Sequence, residues 1–283
     1  MKIAFSSIPK NVSTPWGGGN VLLSRVYEAL LKRGHEVVFS FDESCDLIYL
    51  TDPRVSTHLY DISHHTKVPI IQRVGDVGTH NKPQLTEMLK EVLPRVTAVI
   101  FPSVWAETQL KEYLPKLSYI VPNVPDSNFF KRKLKVVTHH WSDNPMKGKD
   151  IYELLQRDQE KLNIEFTFIG RPCFQIEKPT RHIPPMSKVE LADELPKHDF
   201  YVTASRLEAG ANHVLEAMAC GLPVVYHEEG GSIPEYVNGR GISYSNYSEL
   251  ETILSPLGSL DSVCDRYCSI FERVYNESPN RNR

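Results

Sequence analysis

The chain has 283 residues, 41% of them hydrophobic and 24% charged, with a formal net charge of −3. That length exceeds one α/β unit of ordinary size and points to two domains, while the slightly acidic balance excludes the strongly basic class of nucleic-acid binders. Five cysteines without a C-x-x-C pair argue against a zinc site or a disulfide framework, and fit free thiols in a reducing cytoplasm.

The predicted elements alternate from the first residues. Met1 and Lys2 precede an apolar run, Ile3 to Phe5, that is too short for a signal peptide and reads as a buried strand over residues 2–8. A polar loop with Pro15, Trp16, Gly17, Gly18 and Gly19 leads into a helix over 20–33. Gly34 stands where a C-terminal glycine belongs, and the next strand covers 35–40. Further strand-like runs lie at 46–50, 69–73, 98–101 and 118–121, with helical patterns at 83–95 and 104–113. A turn-rich stretch, 121–126, and a basic cluster beginning at Lys131 mark a domain boundary. No apolar run approaches the roughly 20 residues of a membrane span, so only peripheral contact with a membrane surface stays compatible with the sequence.

The second half repeats the pattern. Strands are expected at 135–139, 164–170, 199–203 and 223–226, and helices at 148–161, 188–195, 212–220 and 260–276. Cys264 and Cys268 share one face of the last helix. Residues 278–283 are expected to fray. Strand–helix alternation in both halves implies two parallel, doubly wound sheets, whose ligands sit at the carboxyl ends of the strands.

The segment from Ser205 to Glu235 carries the chemistry. It sets Glu208 and Glu216 eight positions apart around Gly210. An ionised carboxylate only accepts hydrogen bonds and offers two oxygens, so it matches a vicinal diol. With Asn212 as the helix cap, a capping box would need its acid at Leu215, so Glu216 is one position out of register for that structural role. Gly210, Ala211 and Asn212 would present backbone amides at a helix start, where an anion is favoured. Sugars and nucleotides are the ligand class that suits this set.

These marks resemble a known family. Glu208 and Glu216, the run from Glu216 to Pro223, the run from Gly230 to Glu235, and Met146-Lys147-Gly148 resemble the donor domain of the two-domain (GT-B) retaining glycosyltransferases of family 4. The first half resembles it more loosely, through Trp16 to Gly19 and through residues 121–126 followed by Phe129. The resemblance implies an α/β fold of two Rossmann-like, doubly wound domains facing across a cleft. A shortened N-terminal, acceptor-side domain would cover 1–128 and a donor domain 129–259, with a helix at 260–283 packing back on the first. It further implies that Glu216 accepts from the nucleotide ribose, that Glu208 contacts the donor sugar, and that Lys147 stabilises the departing diphosphate. Gly17, Gly18 and Gly19 would wrap the donor from the opposite domain, and Arg73, at the end of a strand, would position donor or acceptor.

The sequence departs from that pattern at one place. Family members carry an arginine about five residues before the lysine, and this chain has none between Arg132 and Arg157. His140, Ser142 and Arg171 are the candidates to replace it. His64 and His65 are neighbours that point to opposite faces of an extended chain, so they read as loop residues rather than metal ligands. No Asp-x-Asp pair occurs, nor any G-x-x-x-x-G-K-[ST], G-x-S-x-G or H-E-x-x-H motif.

The resemblance therefore implies a retaining glycosyltransferase of the hexosyltransferase type (EC 2.4), and the missing Asp-x-Asp pair agrees with a metal-independent one. It would move a sugar from a nucleotide-diphosphate donor to a glycan, lipid-linked or small-molecule acceptor, in the cytoplasm or at the membrane surface, with no cofactor beyond the donor. A sugar-nucleotide epimerase or hydrolase on the same fold, and a non-catalytic nucleotide-sugar-binding relative, are the alternatives that stay open.

Overall fold

The structure is a computed structural model, and it describes residues 1–9, 18–55, 67–78, 82–126, 132–255 and 258–278. Trp16, Gly17, His64, His65, Phe129 and Lys131 lie outside the described residues, as does the end of the chain after Ser278. The chain divides into two compact units, Met1–Phe129 together with Leu257–Arg283, and Phe130–Pro256.

The first unit opens with β1 (Lys2–Phe5), α1 (Gly18–Lys32), β2 (Glu36–Val38), β3 (Leu47–Leu50) and β4 (Ile70–Arg73). It continues with α2 (Pro83–Val92), β5 (Ala98–Phe101), α3 (Val104–Thr108) and β6 (Leu117–Ile120). All of its described strand pairs are parallel, in the order β2-β1-β3-β4-β5-β6. Parallel strands covered on both faces carry unbroken apolar runs, and Leu47–Leu50 and Ala98–Phe101 are buried throughout.

The second unit runs β7 (Leu134–His140), α4 (Lys149–Arg157), α5 (Gln159–Leu162), β8 (Ile164–Gly170), β9 (Arg181–Ile183) and α6 (Lys188–Glu194). It then runs β10 (Phe200–Thr203), α7 (Asn212–Ala219), β11 (Val224–His227), α8 (Ile233–Val237), β12 (Ile242–Tyr244) and α9 (Tyr247–Leu254). Its parallel sheet has the order β12-β11-β10-β7-β8-β9. One face of that sheet buries Tyr152, Phe166, Phe168, Val202 and Val225, and the other buries Val137, Ile169, Tyr201 and Val214. Alternate residues of one strand thus serve opposite layers. Each unit is Rossmann-like, as the alternation of patterns implies.

The last helix, α10 (Leu260–Glu277), belongs to the first unit and packs along α1. Val263, Tyr267, Phe271 and Val274 share a core with Leu22, Val26 and Leu30, and the Phe271 ring lies 4.8 Å from that of Tyr49. Arg33 of the α1 end forms ion pairs with Asp265 and Glu272. Cys264 and Cys268 are buried, unbridged thiols in this contact.

Four elements were not expected from the sequence. β9 and β12 are three-residue edge strands that exist through pairing with β8 and β11, and α8 and α9 are short helices that precede and follow β12. The helix expected over 148–161 is two, because Asp158 leaves helical geometry and Arg157 turns its guanidinium onto the Asp158 carboxylate. The pattern at 104–113 ends its α-helix at Thr108 and finishes in a separate 3₁₀ turn.

Candidate active site

The second sheet has a topological switch point. From β7 the chain proceeds outward through β8 and β9, then crosses to β10 on the other side of β7. Connections that depart in opposite directions leave a crevice beyond the strand ends, where open α/β sheets bind ligands. β7 ends at His140 and β10 at Thr203, so the segments that follow them carry Lys147, Glu208 and Glu216 to that crevice.

The β7 segment reaches Lys147 through a 3₁₀ turn, Pro145–Lys147, whose cap Asn144 accepts from the Met146 amide at 3.0 Å. Gly148 then takes φ = 102° and begins α4; a Cβ there would stand 2.2 Å from Cβ of Ala204. Only glycine fits both constraints, and it presses the lysine turn onto the end of β10. The Met146 carbonyl accepts from the Arg206 amide at 3.0 Å, which ties the two segments together. Arg206 also forms a bidentate pair with Asp150 at 3.0 and 2.8 Å. In this frame Lys147 Nζ donates a hydrogen bond to Oε1 of Glu208. The two residues expected to meet the diphosphate and the sugar are brought into direct contact, both largely shielded from solvent. Behind Glu208, Gly231 takes φ = 68° against the Glu208 backbone, and the Ser232 amide donates to the Glu208 carbonyl at 2.8 Å.

Glu216 lies one turn into α7, whose cap is Ala211 rather than Asn212. The capping-box position is therefore Val214, which moves Glu216 further from any cap role. Its carboxylate instead accepts from His139 Nε2–H at 2.9 Å. His139 is fully buried at the end of β7, while the Glu216 side chain keeps 34% of its surface exposed. Burial lowers the His139 pKa against the opposing pull of Glu216. Gly210 is exposed, and a Cβ there would meet only the Tyr236 hydroxyl, at 4.0 Å; Ala211 is buried, and Asn212 is exposed at the first turn of α7.

His140 requires a correction. As a candidate phosphate contact it should face the crevice, but its ring is buried and its Nε2 lies 2.7 Å from the Tyr152 hydroxyl and 3.3 Å from Thr138 Oγ1. The Tyr152 hydroxyl accepts from the Ala204 amide at 3.1 Å, so His140 belongs to an internal network that fixes the ends of β7 and β10. Burial holds its pKa well below the ordinary range. Ser142 sits on the loop before Lys147, and its hydroxyl accepts from the Asn144 amide at 3.3 Å. Arg171 follows Gly170, with its amide on the His140 carbonyl at 2.8 Å and its side chain exposed.

His139 and His213 were missed as site residues. His213 Nε2 lies 3.2 Å from Thr203 Oγ1 and its ring centroid 5.0 Å from that of His140. Burial, then the charges of His139 and Lys147, pull it down to about 3. Trp141 is exposed beside them, its ring 5.7 Å from His139. The sequence signal that could have found them was the dipeptide His139-His140 at a strand end, but the partners lie far along the chain.

Among the described residues, three buried polar atoms around these segments have no hydrogen-bond partner: His139 Nδ1, Ser205 Oγ and Ser232 Oγ. Buried polar groups are normally satisfied, and these unpaired ones lie at the end of β7 and on the segments that follow β10 and β11.

In the first unit Gly18 is the first residue of α1, and Gly19 lies against Arg73, whose Nη1 would be 3.5 Å from a Cβ there. Arg73 also fills the space beside Gly75. Asp76, three positions on, pairs with Lys82 at 2.6 Å. Among the described residues no group of three or more His, Cys, Asp or Glu side chains could hold a metal ion, and no helix is long and apolar enough to cross a membrane.

Residues 149–255 match the family model described as glycosyl transferases group 1. The match contains Glu208 and Glu216 and begins two residues after Lys147. No curated protein matches the chain. Among solved structures, HepE of Anabaena in complex with UDP and glucose is similar at 16% identity and a TM-score of 0.40, over 96% of this chain and 100% of that one. Sucrose-phosphate synthase of Thermosynechococcus elongatus is similar at 13% identity and a TM-score of 0.44, over 98% of this chain and 100% of that one.

Proposed function

We propose that this protein is a nucleotide-sugar-dependent glycosyltransferase of the retaining family 4 type, with its donor site on the second unit. The observation that carries the reading is the contact between Lys147 and Glu208 at the switch point, with Glu216 one helix turn into α7 and bonded to His139 at the end of β7. A cation and a carboxylate side by side suit a ligand in which phosphate and sugar hydroxyls are neighbours. The match to the group 1 model over the same unit supports the same reading.

In the proposed site the diphosphate displaces Glu208 from Lys147 and takes the ammonium. The α7 start, with Gly210, Ala211 and Asn212, lends amide donors, and Ser142 and Arg171 stand in for the arginine that the sequence lacks. Glu208 then accepts from sugar hydroxyls and Glu216 from the ribose diol. The bond from the anomeric carbon to the phosphate oxygen breaks with its electron pair leaving on the diphosphate, where Lys147 stabilises it. The acceptor oxygen bonds to the same face of the anomeric carbon, and its proton passes to the departing phosphate. Retention follows with no protein nucleophile and without a metal. Acceptor recognition is assigned to the first unit, where Arg73 beside Gly19 is the candidate contact.

The test is a thermal-shift screen of nucleoside diphosphates and their sugars on the wild type and Glu216→Ala. A ligand that binds the folded state raises its melting temperature by mass action. We expect at least one nucleoside diphosphate to stabilise the wild type and to stabilise Glu216→Ala far less. Equal stabilisation of both proteins removes the ribose assignment, and stabilisation of neither removes the donor site.

A further inference from the structure

The role of His139 is not explained by the reaction. Its imidazole has no exposed surface, and its Nδ1 has no partner among the described residues. The ring's other nitrogen spends its N–H on Glu216 Oε2 at 2.9 Å. The backbone is fixed as well: the His139 amide and carbonyl both meet the Tyr201 hydroxyl at 3.3 Å. Tyr201 is itself buried in the neighbouring strand β10. A core position that needed only bulk would take an apolar residue and leave no buried nitrogen unpaired. What the imidazole supplies instead is a hydrogen bond to a carboxylate that is still partly open to solvent.

We infer that His139 is a positioning residue that holds the Glu216 carboxylate in the orientation that recognises a ribose diol, and so makes the site selective for ribonucleotides over 2′-deoxyribonucleotides. The inference rests on the proposed donor site. A carboxylate on a helix can turn about its side-chain bonds, and each orientation offers a different pair of lone pairs. A hydrogen bond from a fully packed ring selects one of them before the ligand arrives, so ordering costs less on binding. His139 takes one lone pair of Oε2, which leaves Oε1 and the second lone pair of Oε2 for the diol, and a sugar lacking one hydroxyl leaves part of that acceptor capacity unused.

The experiment is calorimetric titration of the intact protein with UDP, GDP and their 2′-deoxy counterparts. The wild type is expected to prefer the ribo form of the bound nucleotide by about tenfold or more, the scale of one charge-assisted hydrogen bond. In His139→Leu, which fills the space without an N–H, that preference is expected to collapse toward unity while the protein stays folded. Two further variants separate positioning from packing. The Gln amide can reach the place of Nε2, and the Asn amide only that of Nδ1, so His139→Gln is expected to keep most of the preference and His139→Asn to lose it. A His139→Leu protein with the wild-type preference overturns the inference, as does equal preference in the Gln and Asn variants. A wild type that binds neither UDP nor GDP overturns the donor site itself, and this inference with it.

Discussion

Lys147 Nζ and Glu208 Oε1 meet in a hydrogen bond that joins the segment after β7 to the segment after β10. The two residues are 61 positions apart in the chain, and the sheet makes them neighbours because β7 and β10 are paired. A nucleotide sugar would engage the two separately, its phosphate on the ammonium and its hydroxyls on the carboxylate.

Neutralising either member is expected to reduce donor turnover by about a hundredfold or more, the usual cost of one preorganised electrostatic contact. Lys147→Met should act on the departing diphosphate and lower kcat. Glu208→Gln, which keeps shape and loses charge, should act mainly through the sugar. Steady-state kinetics with a sugar-nucleotide donor are the check, and unchanged kcat in Lys147→Met takes Lys147 out of the mechanism.

Gly148→Ala is expected to damage the site through the backbone. The position has φ = 102°, and the new Cβ would fall 2.2 Å from Cβ of Ala204, a separation that forces β10 or the lysine turn to move. The left-handed conformation alone costs a non-glycine residue about 1–2 kcal/mol, and the clash adds to it. Urea unfolding should show a loss of about 2 kcal/mol or more. A variant as stable as the wild type would mean that the turn yields freely.

Phe271→Ala tests whether α10 is part of the first unit's core. Phe271 is fully buried, with its ring packed edge-on to Tyr267 and tilted against Tyr49. Removing a ring from such a place costs about 3–5 kcal/mol. Denaturant titration should show that loss; a change below about 1 kcal/mol would mean that the helix is not held by this core.

Stability should fall with acid because of the buried histidines. His213 is depressed from 6.5 to about 3, chiefly by burial, and His140 is well below its ordinary range for the same reason. Both are neutral in the folded chain at pH values where the unfolded chain binds a proton. Their contribution is complete above about pH 6.5 and is lost as the pH falls toward about 3, because protons then favour the unfolded state. Each proton of difference changes stability by up to about 1.4 kcal/mol per pH unit. Unfolding measured between about pH 7 and pH 5 should show this slope, and His213→Asn should flatten it. An unchanged slope in that variant would mean that His213 titrates alike in both states.

Much of this arrangement was readable in the sequence because it is local. Short apolar runs mark strands such as Ala98–Phe101 and Ile164–Gly170, whose observed bounds coincide with the expected ones. The spacing of Glu208 and Glu216 around a glycine, and the Lys147-Gly148 step, are also local patterns, and they pointed to a sugar nucleotide. The edge strands Arg181–Ile183 and Ile242–Tyr244 escaped because three residues carry no period and become strands only beside a neighbour.

What the sequence by itself determined is the alternation of elements, the two α/β units and the identity of the acids, the lysine and the glycines. Those follow from side-chain chemistry and from backbone preferences that act over a few residues. Only the tertiary structure decided that Lys147 rests on Glu208, that His140 turns inward to Tyr152, and that His139 anchors Glu216 from 77 positions away. Those contacts depend on strand order and on which face of each strand a residue occupies, and no local pattern encodes either.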